Sequence, residues 1–129
     1  MIGLEIESET GQPMIARVAG DIDSVTSGEL RDGLSRRLTN LAPGLILDLT
    51  EATYVDSAGI AFLFDLAQRL RTRGQELRLV VPADAYMRRV FDLCGIESVM
   101  AVDATVETAI DGMRRQSSPE APASGAPES

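Results

Sequence analysis

Histidine, lysine and tryptophan are absent from this chain of 129 residues, and all twelve of its basic residues are arginine. Without histidine the chain cannot form a Ser-His-Asp triad or a histidine-based metal site. Without lysine it cannot form a Schiff base or use the lysine of a phosphate-binding P-loop. The acidic residues are scattered rather than grouped around a cleft motif. We therefore expect a protein that is not an enzyme, with no metal site and no cofactor.

Cysteine is nearly absent as well. Cys94 is the only one, so an internal disulfide is excluded and a reducing compartment is favoured. Its apolar neighbours predict a buried position on a helix. The N-terminal stretch lacks a basic region followed by an apolar run, and no window of about 18 apolar residues occurs. We expect neither a signal peptide nor a transmembrane helix, and a cytoplasmic protein.

Positive charge is scarce relative to negative charge. The net charge is -8, whereas binding to duplex nucleic acid or to an anionic membrane surface needs clustered cations. We therefore expect no direct contact with nucleic acid and none with a membrane. With 44% apolar residues, the chain is long enough for one domain with one core.

The first half of the chain predicts a hairpin, a helix and a buried strand. Residues 4–8 and 14–18 alternate between apolar and polar around a turn with glycine and proline, which predicts an antiparallel hairpin. Residues 20–24 are expected to form a loop. Thr26 and Glu29 match a capping box and predict a helix over 27–41. The apolar run 45–49 predicts a strand covered on both faces.

The second half alternates between helices and strands. A helix is predicted from Ser57 to a glycine stop at position 74, followed by a strand over 77–81 and a helix over 84–94. A strand over 99–102 and a last helix capped by Asp103 complete the pattern. Together these elements predict an α/β fold with a mixed, mostly parallel sheet, an N-terminal antiparallel hairpin and about four flanking helices.

The composition changes sharply at the C-terminal end. Residues 116–129 contain no large apolar side chain and are rich in proline, alanine and serine. Such a segment cannot bury enough apolar surface to offset the entropy of ordering it. We therefore expect a folded domain over residues 1–115 and a disordered tail over 116–129.

Two loops are expected to meet at the carboxyl edge of the sheet, where parallel α/β proteins bind their ligands. They are residues 20–24 and 53–59, and both carry small and acidic side chains. Ser57 begins an apolar helix, so it is either an N-cap that contributes about 1 kcal/mol or a serine placed to carry a phosphate. Gly59 costs roughly 0.5–1 kcal/mol relative to alanine in a helix, which indicates a close approach to its backbone.

Three stretches resemble, in order and spacing, the STAS-domain anti-sigma factor antagonists, the bacterial anti-anti-sigma factors. They are GDIDSVTSGELRDGL (20–34), LILDLTEATYVDSAGIAFLFDL (45–66) and LRLVVPADAYMRRVFDLCGIESVMAV (77–102). The resemblance implies the STAS fold and a partner-switching role. It further implies that the unmodified protein binds an anti-sigma factor that is also a serine kinase with a histidine-kinase-like ATPase fold, and that this binding frees the sigma factor. By the same resemblance, phosphorylation of Ser57 is expected to break the complex, and a PP2C-type serine phosphatase is expected to restore it.

The same resemblance implies a partner-binding surface around the phosphorylated serine. Alanine stands where many relatives have a second serine, so Ser57 is the one hydroxyl of the motif. Two alternatives stay open: a structural STAS module of a stress-sensing assembly or transporter, and a small-molecule or nucleotide binder. The implied partner-binding residues are Asp21, Asp23, Ser24, Asp56, Ala58, Gly59 and Ile60.

Overall fold

The computed structural model describes residues 2–117, and nearly all of the predicted tail lies outside the described residues. Strands and helices alternate after an N-terminal pair of strands. In chain order the elements are β1 (Gly3–Glu7), β2 (Met14–Ile22), α1 (Ser24–Arg37), β3 (Gly44–Val55), α2 (Ser57–Thr72), β4 (Glu76–Val80), α3 (Tyr86–Cys94), a turn of 3-10 helix (Ile96–Ser98), β5 (Ala101–Asp103) and α4 (Val106–Ser117).

The five strands form one sheet in which sequence order is also spatial order, β1 to β5. β1 and β2 are antiparallel, whereas the pairs β2–β3, β3–β4 and β4–β5 are all parallel. The predicted α/β fold with a mixed, mostly parallel sheet and an antiparallel hairpin at one edge is confirmed. Because β2, β3 and β4 run in one direction, their carboxyl ends meet at one edge of the sheet.

Most of the core lies between one face of the sheet and the helices α1, α2 and α3. Leu30 and Leu34 lie one turn apart on α1 and are buried against the sheet, as helical spacing of apolar residues requires. Each such side chain contributes about 1.5–3 kcal/mol through its removal from water. On the sheet, the same core includes Met14, Ala16, Val18, Leu45, Leu47, Leu49, Leu77 and Leu79.

α4 covers the opposite face of the sheet. Its Ala109 and Met113 form a small cluster with Ile46 and Val80. Buried Arg78 lies beneath this helix, with Nε 2.8 Å from a carboxylate oxygen of Glu76 and Nη1 3.1 Å from one of Asp103. A Cβ added at Gly112 would lie 2.6 Å from Arg78 Cζ, so the glycine lets α4 approach this side chain. Burial raises the pKa of Glu76, and the charge of Arg78 opposes this shift.

Three predicted boundaries around the first helix were wrong. The parallel ladder between β2 and β3 continues to the pair Ile22–Val55, so much of the two predicted loops is strand. α1 begins at Ser24 because Asp23 caps it, and the predicted capping box of Thr26 with Glu29 does not form. The helix ends at Arg37, where Leu38 turns to extended backbone with ψ 123°.

The C-terminal boundaries also differ from the prediction. α3 begins at Tyr86 because the residues before it form a turn, in which Ala85 N–H donates to the carbonyl of Pro82 at 3.0 Å. β5 begins at Ala101, since the N–H groups of the two preceding residues donate to Ile96 in the 3-10 turn. Asp103 lies in β5 and pairs with Arg78, so it does not cap α4.

Cys94 is exposed, and the predicted buried position is wrong. α3 directs Met87 and Phe91 into the core, and the next inward place is taken by Ile96, which is fully buried after the chain turns at Gly95. The thiol is thus left on the last turn of the helix, outside the core.

No helix within residues 2–117 combines the length and the apolar character needed to cross a bilayer.

Candidate functional site

The site lies where β2 and β3 end side by side. Asp21 pairs with Tyr54 and Ile22 with Val55 in the parallel ladder. The N–H of Asp56 then donates to the carbonyl of Ile22 at 3.2 Å, so the first residue after β3 stays attached to the end of β2. The two predicted segments are therefore brought together, although Ile22 and Val55 lie 33 positions apart in the chain.

The N-terminus of α1 forms one half of the site. The Asp23 carboxylate accepts hydrogen bonds from the N–H groups of Val25 and Thr26, both at 3.0 Å. The hydroxyl of Thr26 accepts from Asp23 N–H at 2.8 Å and donates to the carbonyl of Asp21 at 2.7 Å. These hydrogen bonds, above all the one from Thr26 N–H, lower the pKa of Asp23. The arrangement keeps the Asp23 side chain ionised and fixed.

The N-terminus of α2 forms the other half. Asp56 is the N-cap, and its Oδ1 accepts from Gly59 N–H at 2.9 Å. Ser57 is the first helical residue and is exposed. Within residues 2–117, its hydroxyl has no hydrogen-bond partner. The interpretation of Ser57 as the capping residue was therefore wrong, because the carboxylate one position earlier fills that role.

Gly59 is approached closely by the protein itself. A Cβ added there would meet the carbonyl oxygen of Ile22 and would lie 2.6 Å from Val55 Cγ2. The sequence correctly indicated a close approach to this backbone. The approaching atoms, however, belong to the ends of β2 and β3. Gly59 is buried, so it supports the surface from behind.

The remaining predicted site residues surround these two helix ends. Asp21 is exposed, and its Oδ1 accepts from the Thr53 hydroxyl at 2.6 Å, which ties β2 to β3 outside the ladder. Ser24 is exposed, whereas Ala58 and Ile60 are half-buried. All seven predicted partner-binding positions and Ser57 thus lie in the segments 21–24 and 56–60.

Two apolar residues at this edge were missed. Val25, on the first turn of α1, is 71% exposed, and Tyr54, the next-to-last residue of β3, is 48% exposed. Tyr54 was missed because residues 53–59 were assigned to a loop. In a strand, the alternation of side chains between the two faces would have indicated that Tyr54 is exposed. With half-buried Ile60, these side chains give the site apolar contact area.

The charge of the site is negative. Segments 20–26 and 53–60 contain Asp21, Asp23 and Asp56 and no basic residue. The two helix N-termini add partial positive charge at the backbone. Among the described residues, no group of three or more acidic or cysteine side chains is arranged to hold a metal ion. The arrangement therefore offers an exposed hydroxyl and an acidic, partly apolar surface for binding.

Comparison with known proteins gives concordant matches. A family model described as the STAS domain matches residues 5–109. An anti-sigma-B factor antagonist from Listeria monocytogenes is 29% identical over 103 residues, which cover 78% of this chain and 88% of the relative. The crystal structure of an anti-sigma factor antagonist from Mycobacterium paratuberculosis is similar with a TM-score of 0.76 and 24% identity, covering 88% of this chain and 95% of that one. The Bacillus cell fate determinant SpoIIAA in its phosphorylated form is similar with a TM-score of 0.61 and 23% identity, covering 87% and 100% of the two chains.

Proposed function

The chain belongs to the STAS domain family, and from this premise we propose that it is an anti-sigma factor antagonist switched by phosphorylation of Ser57. In the unmodified state it binds a cognate anti-sigma factor and thereby releases a sigma factor. It acts as a regulatory binding protein in the cytoplasm, not as an enzyme, and it uses no cofactor. The similar Listeria protein carries the name of such an antagonist.

The observation that carries the proposal is the state of Ser57. Its hydroxyl is exposed at the first position of α2 and makes no hydrogen bond within residues 2–117, because Asp56 already caps the helix. A kinase can therefore reach the hydroxyl without disrupting a contact that holds the fold together. SpoIIAA, a protein of the same fold, has been solved in a phosphorylated form, so the fold is compatible with that modification.

The charge of the site supports a switch by repulsion and desolvation. A phosphate adds about -1.5 to -2 charge directly after Asp56, in a region whose two segments contain no arginine. The N-terminus of α2 tolerates this charge in the free protein. A partner that packs against Val25, Tyr54 and Ile60 would have to bury the dianion without a cation from segments 20–26 and 53–60. Phosphorylation is therefore expected to dissociate the complex while leaving the domain folded.

Two enzymes acting on Ser57 follow from this proposal. The kinase is the anti-sigma factor itself, with a histidine-kinase-like ATPase fold, and a PP2C-type phosphatase removes the phosphate. Neither activity needs a catalytic group from this chain, which agrees with the absence of histidine and lysine. The proposed contact residues are Asp21, Asp23, Ser24, Val25, Tyr54, Asp56, Ala58 and Ile60, with Gly59 shaping the surface from below.

The decisive experiment starts from cells that make the protein. The unmodified chain and the Ser57→Ala variant are used as bait in cytosol supplied with ATP, and bound proteins are identified by mass spectrometry. We expect both baits to bind a protein with a histidine-kinase-like ATPase fold. Only the parent chain should then be phosphorylated and release that bound protein. Recovery of a transporter or a large stress-sensing assembly instead, with no phosphate on Ser57, would refute the proposal.

A further inference from the structure

A groove of about 260 Å³ lies between α1 and α2, away from the phosphorylation site proposed above. Its floor is apolar and is built from both helices. Leu34 and Leu38 contribute from the α1 side, and Phe62, Leu66 and Leu70 contribute from α2. Most of these side chains are buried and belong to the main core, while Leu38 is half-buried and packs against it. The groove, called here the α1–α2 groove, thus offers space for a large apolar side chain on a rigid floor.

Arginines stand on both sides of this floor. The guanidinium of Arg31 lies over the Phe62 ring, with Cζ 5.5 Å from the ring centroid. Arg69 and Arg73 line the other end. Arg69 pairs with Asp65 at 2.9 Å, and Arg73 donates to the neutral side chain of Asn40. Within the described part of the chain, neither Arg31 nor Arg73 has a carboxylate within ion-pair distance.

The groove is therefore cationic in an acidic protein. Three arginines and one carboxylate, Asp65, line it, which gives a local charge of three minus one, or +2, whereas the whole chain carries -8. The helix dipole accounts for cations in the last turn of α2. It does not account for Arg31, which lies in the middle of α1 (Ser24–Arg37), since the dipole acts mainly within the terminal turns. Arg31 instead lies over the Phe62 ring, and this contact holds its guanidinium at the groove.

We propose that the α1–α2 groove docks an acidic amphipathic segment of a protein partner. An apolar side chain of that segment enters the groove and packs on half-buried Leu38, while carboxylates on either side pair with Arg31 and Arg73. Arginine suits this role because its planar guanidinium can bind a carboxylate through two parallel hydrogen bonds. The groove shares no residue with the proposed partner-binding surface around Ser57, so this second contact does not depend on the phosphorylation switch.

The test uses the full chain labelled with 15N and two synthetic peptides of 14 residues. One peptide carries leucines at helical spacing flanked by glutamates, and the other carries arginine in place of every glutamate. We expect the acidic peptide to shift amide signals of α1, of α2 and of the groove residues Leu38 and Arg73 that follow them, including those of Ser35 and Thr72 beside the groove. Its affinity should exceed that of the basic peptide by at least about tenfold, which is about 1.4 kcal/mol.

Matched variants assign the binding to the groove. The double variant Arg31→Gln/Arg73→Gln should lower the affinity for the acidic peptide about tenfold. Ser35→Trp places a large side chain at the groove and should lower this affinity to a similar extent without removing charge. Arg89→Gln/Arg115→Gln removes two exposed arginines outside the groove and should leave affinity unchanged. Three results would overturn the proposal: equal binding of both peptides, shifts mainly in residues away from the groove and its two helices, or unchanged affinity in both groove variants. Binding of decanoate with no binding of the acidic peptide would also overturn it and would indicate a small-ligand groove instead.

Discussion

The carbonyl oxygen of Ile22 lies against Gly59, in the space that a Cβ at position 59 would need. The first turn of α2 thus rests directly on the backbone end of β2. A methyl group of Val55 closes the same space from β3. Glycine is therefore required at this position for β2, β3 and α2 to pack together. Its low helix propensity is the energetic cost of this close approach.

Replacement of this glycine is expected to destabilise the fold. Gly59→Ala should lower the free energy of unfolding by about 1–3 kcal/mol, because a strand end has to move. Gly28→Ala is the matched control, since a Cβ there meets nothing within 4 Å. It should stabilise α1 by up to about 1 kcal/mol through helix propensity. Urea unfolding of the three proteins measures both effects, and a Gly59→Ala protein as stable as the parent would contradict the packing argument.

The capping role of Asp56 predicts different effects for two adjacent substitutions. Asp56→Ala removes the acceptor for Gly59 N–H and should cost about 0.5–2 kcal/mol of stability. Ser57→Ala removes a hydroxyl that makes no hydrogen bond to the described residues 2–117, and it should change the free energy of unfolding by less than about 0.5 kcal/mol. Thermal unfolding of both variants distinguishes the two roles. A larger loss for Ser57→Ala than for Asp56→Ala would show that the serine holds the helix end.

Asp23 should contribute to the acid sensitivity of the fold. Its pKa is lowered in the folded state, chiefly by the hydrogen bond from Thr26 N–H. Its stabilising effect is therefore complete above the unfolded-state pKa of about 3.9 and is lost as the pH falls through the lower folded-state value. Asp23→Asn keeps an N-cap acceptor but does not titrate. Its stability should fall less steeply than that of the parent below about pH 4, whereas Asp32→Asn, at an exposed position of the same helix, should follow the parent.

Phosphorylation of Ser57 should act through local charge. The free protein should stay folded, since the helix N-terminus stabilises the phosphate by up to about 1–2 kcal/mol. Affinity for the anti-sigma factor should fall by roughly two orders of magnitude, because burial of an unpaired dianion costs several kcal/mol and about 1.4 kcal/mol is tenfold. Calorimetry and amide chemical shifts measure the two effects, with chain incubated without ATP as the control. An affinity within about threefold of the control, or shifts spread through the sheet, would argue against this mechanism.

Removal of residues 118–129 should leave the domain intact. The buried apolar residues of the described structure lie between Met14 and Met113, and the removed segment contains no large apolar side chain. We expect an unchanged midpoint of thermal unfolding and an unchanged rate of Ser57 phosphorylation. A clear decrease in either quantity would mean that the segment contacts the domain.

The sequence predicted the sheet well because its strands are strongly patterned. The alternation on both sides of the first turn corresponds to β1 and β2, and the apolar run 45–49 lies in β3. The parallel order of the later strands follows from the helices between them. Element ends were predicted less well. Asp23 and Asp56 are the residues that cap α1 and α2. Where each helix begins, and therefore which residue caps it, depends on how far the β2–β3 ladder continues. The length of this ladder is a tertiary property that the local sequence does not determine.

The structure brings the predicted site residues together at one edge of the sheet, whereas the sequence indicated only part of what each residue contacts. The resemblance could not show that Gly59 faces Ile22. Tyr54 was missed because residues 53–59 were assigned to a loop, whereas β3 continues to Val55. The surface position of Cys94 was missed for a related reason, since Ile96 takes the inward place only after the chain turns at Gly95.

The attachment of Asp56 N–H to the carbonyl of Ile22 has a consequence for recognition. Residues far apart in the sequence create this surface, so a short peptide spanning positions 51–64 would carry the serine without the neighbouring strand end and helix cap. An enzyme that recognises the whole edge would ignore such a peptide and would equally ignore nascent or misfolded copies of the chain. Phosphorylation of Ser57 would then require the folded conformation as well as an active kinase. Only molecules that are able to bind the partner would be phosphorylated and switched off.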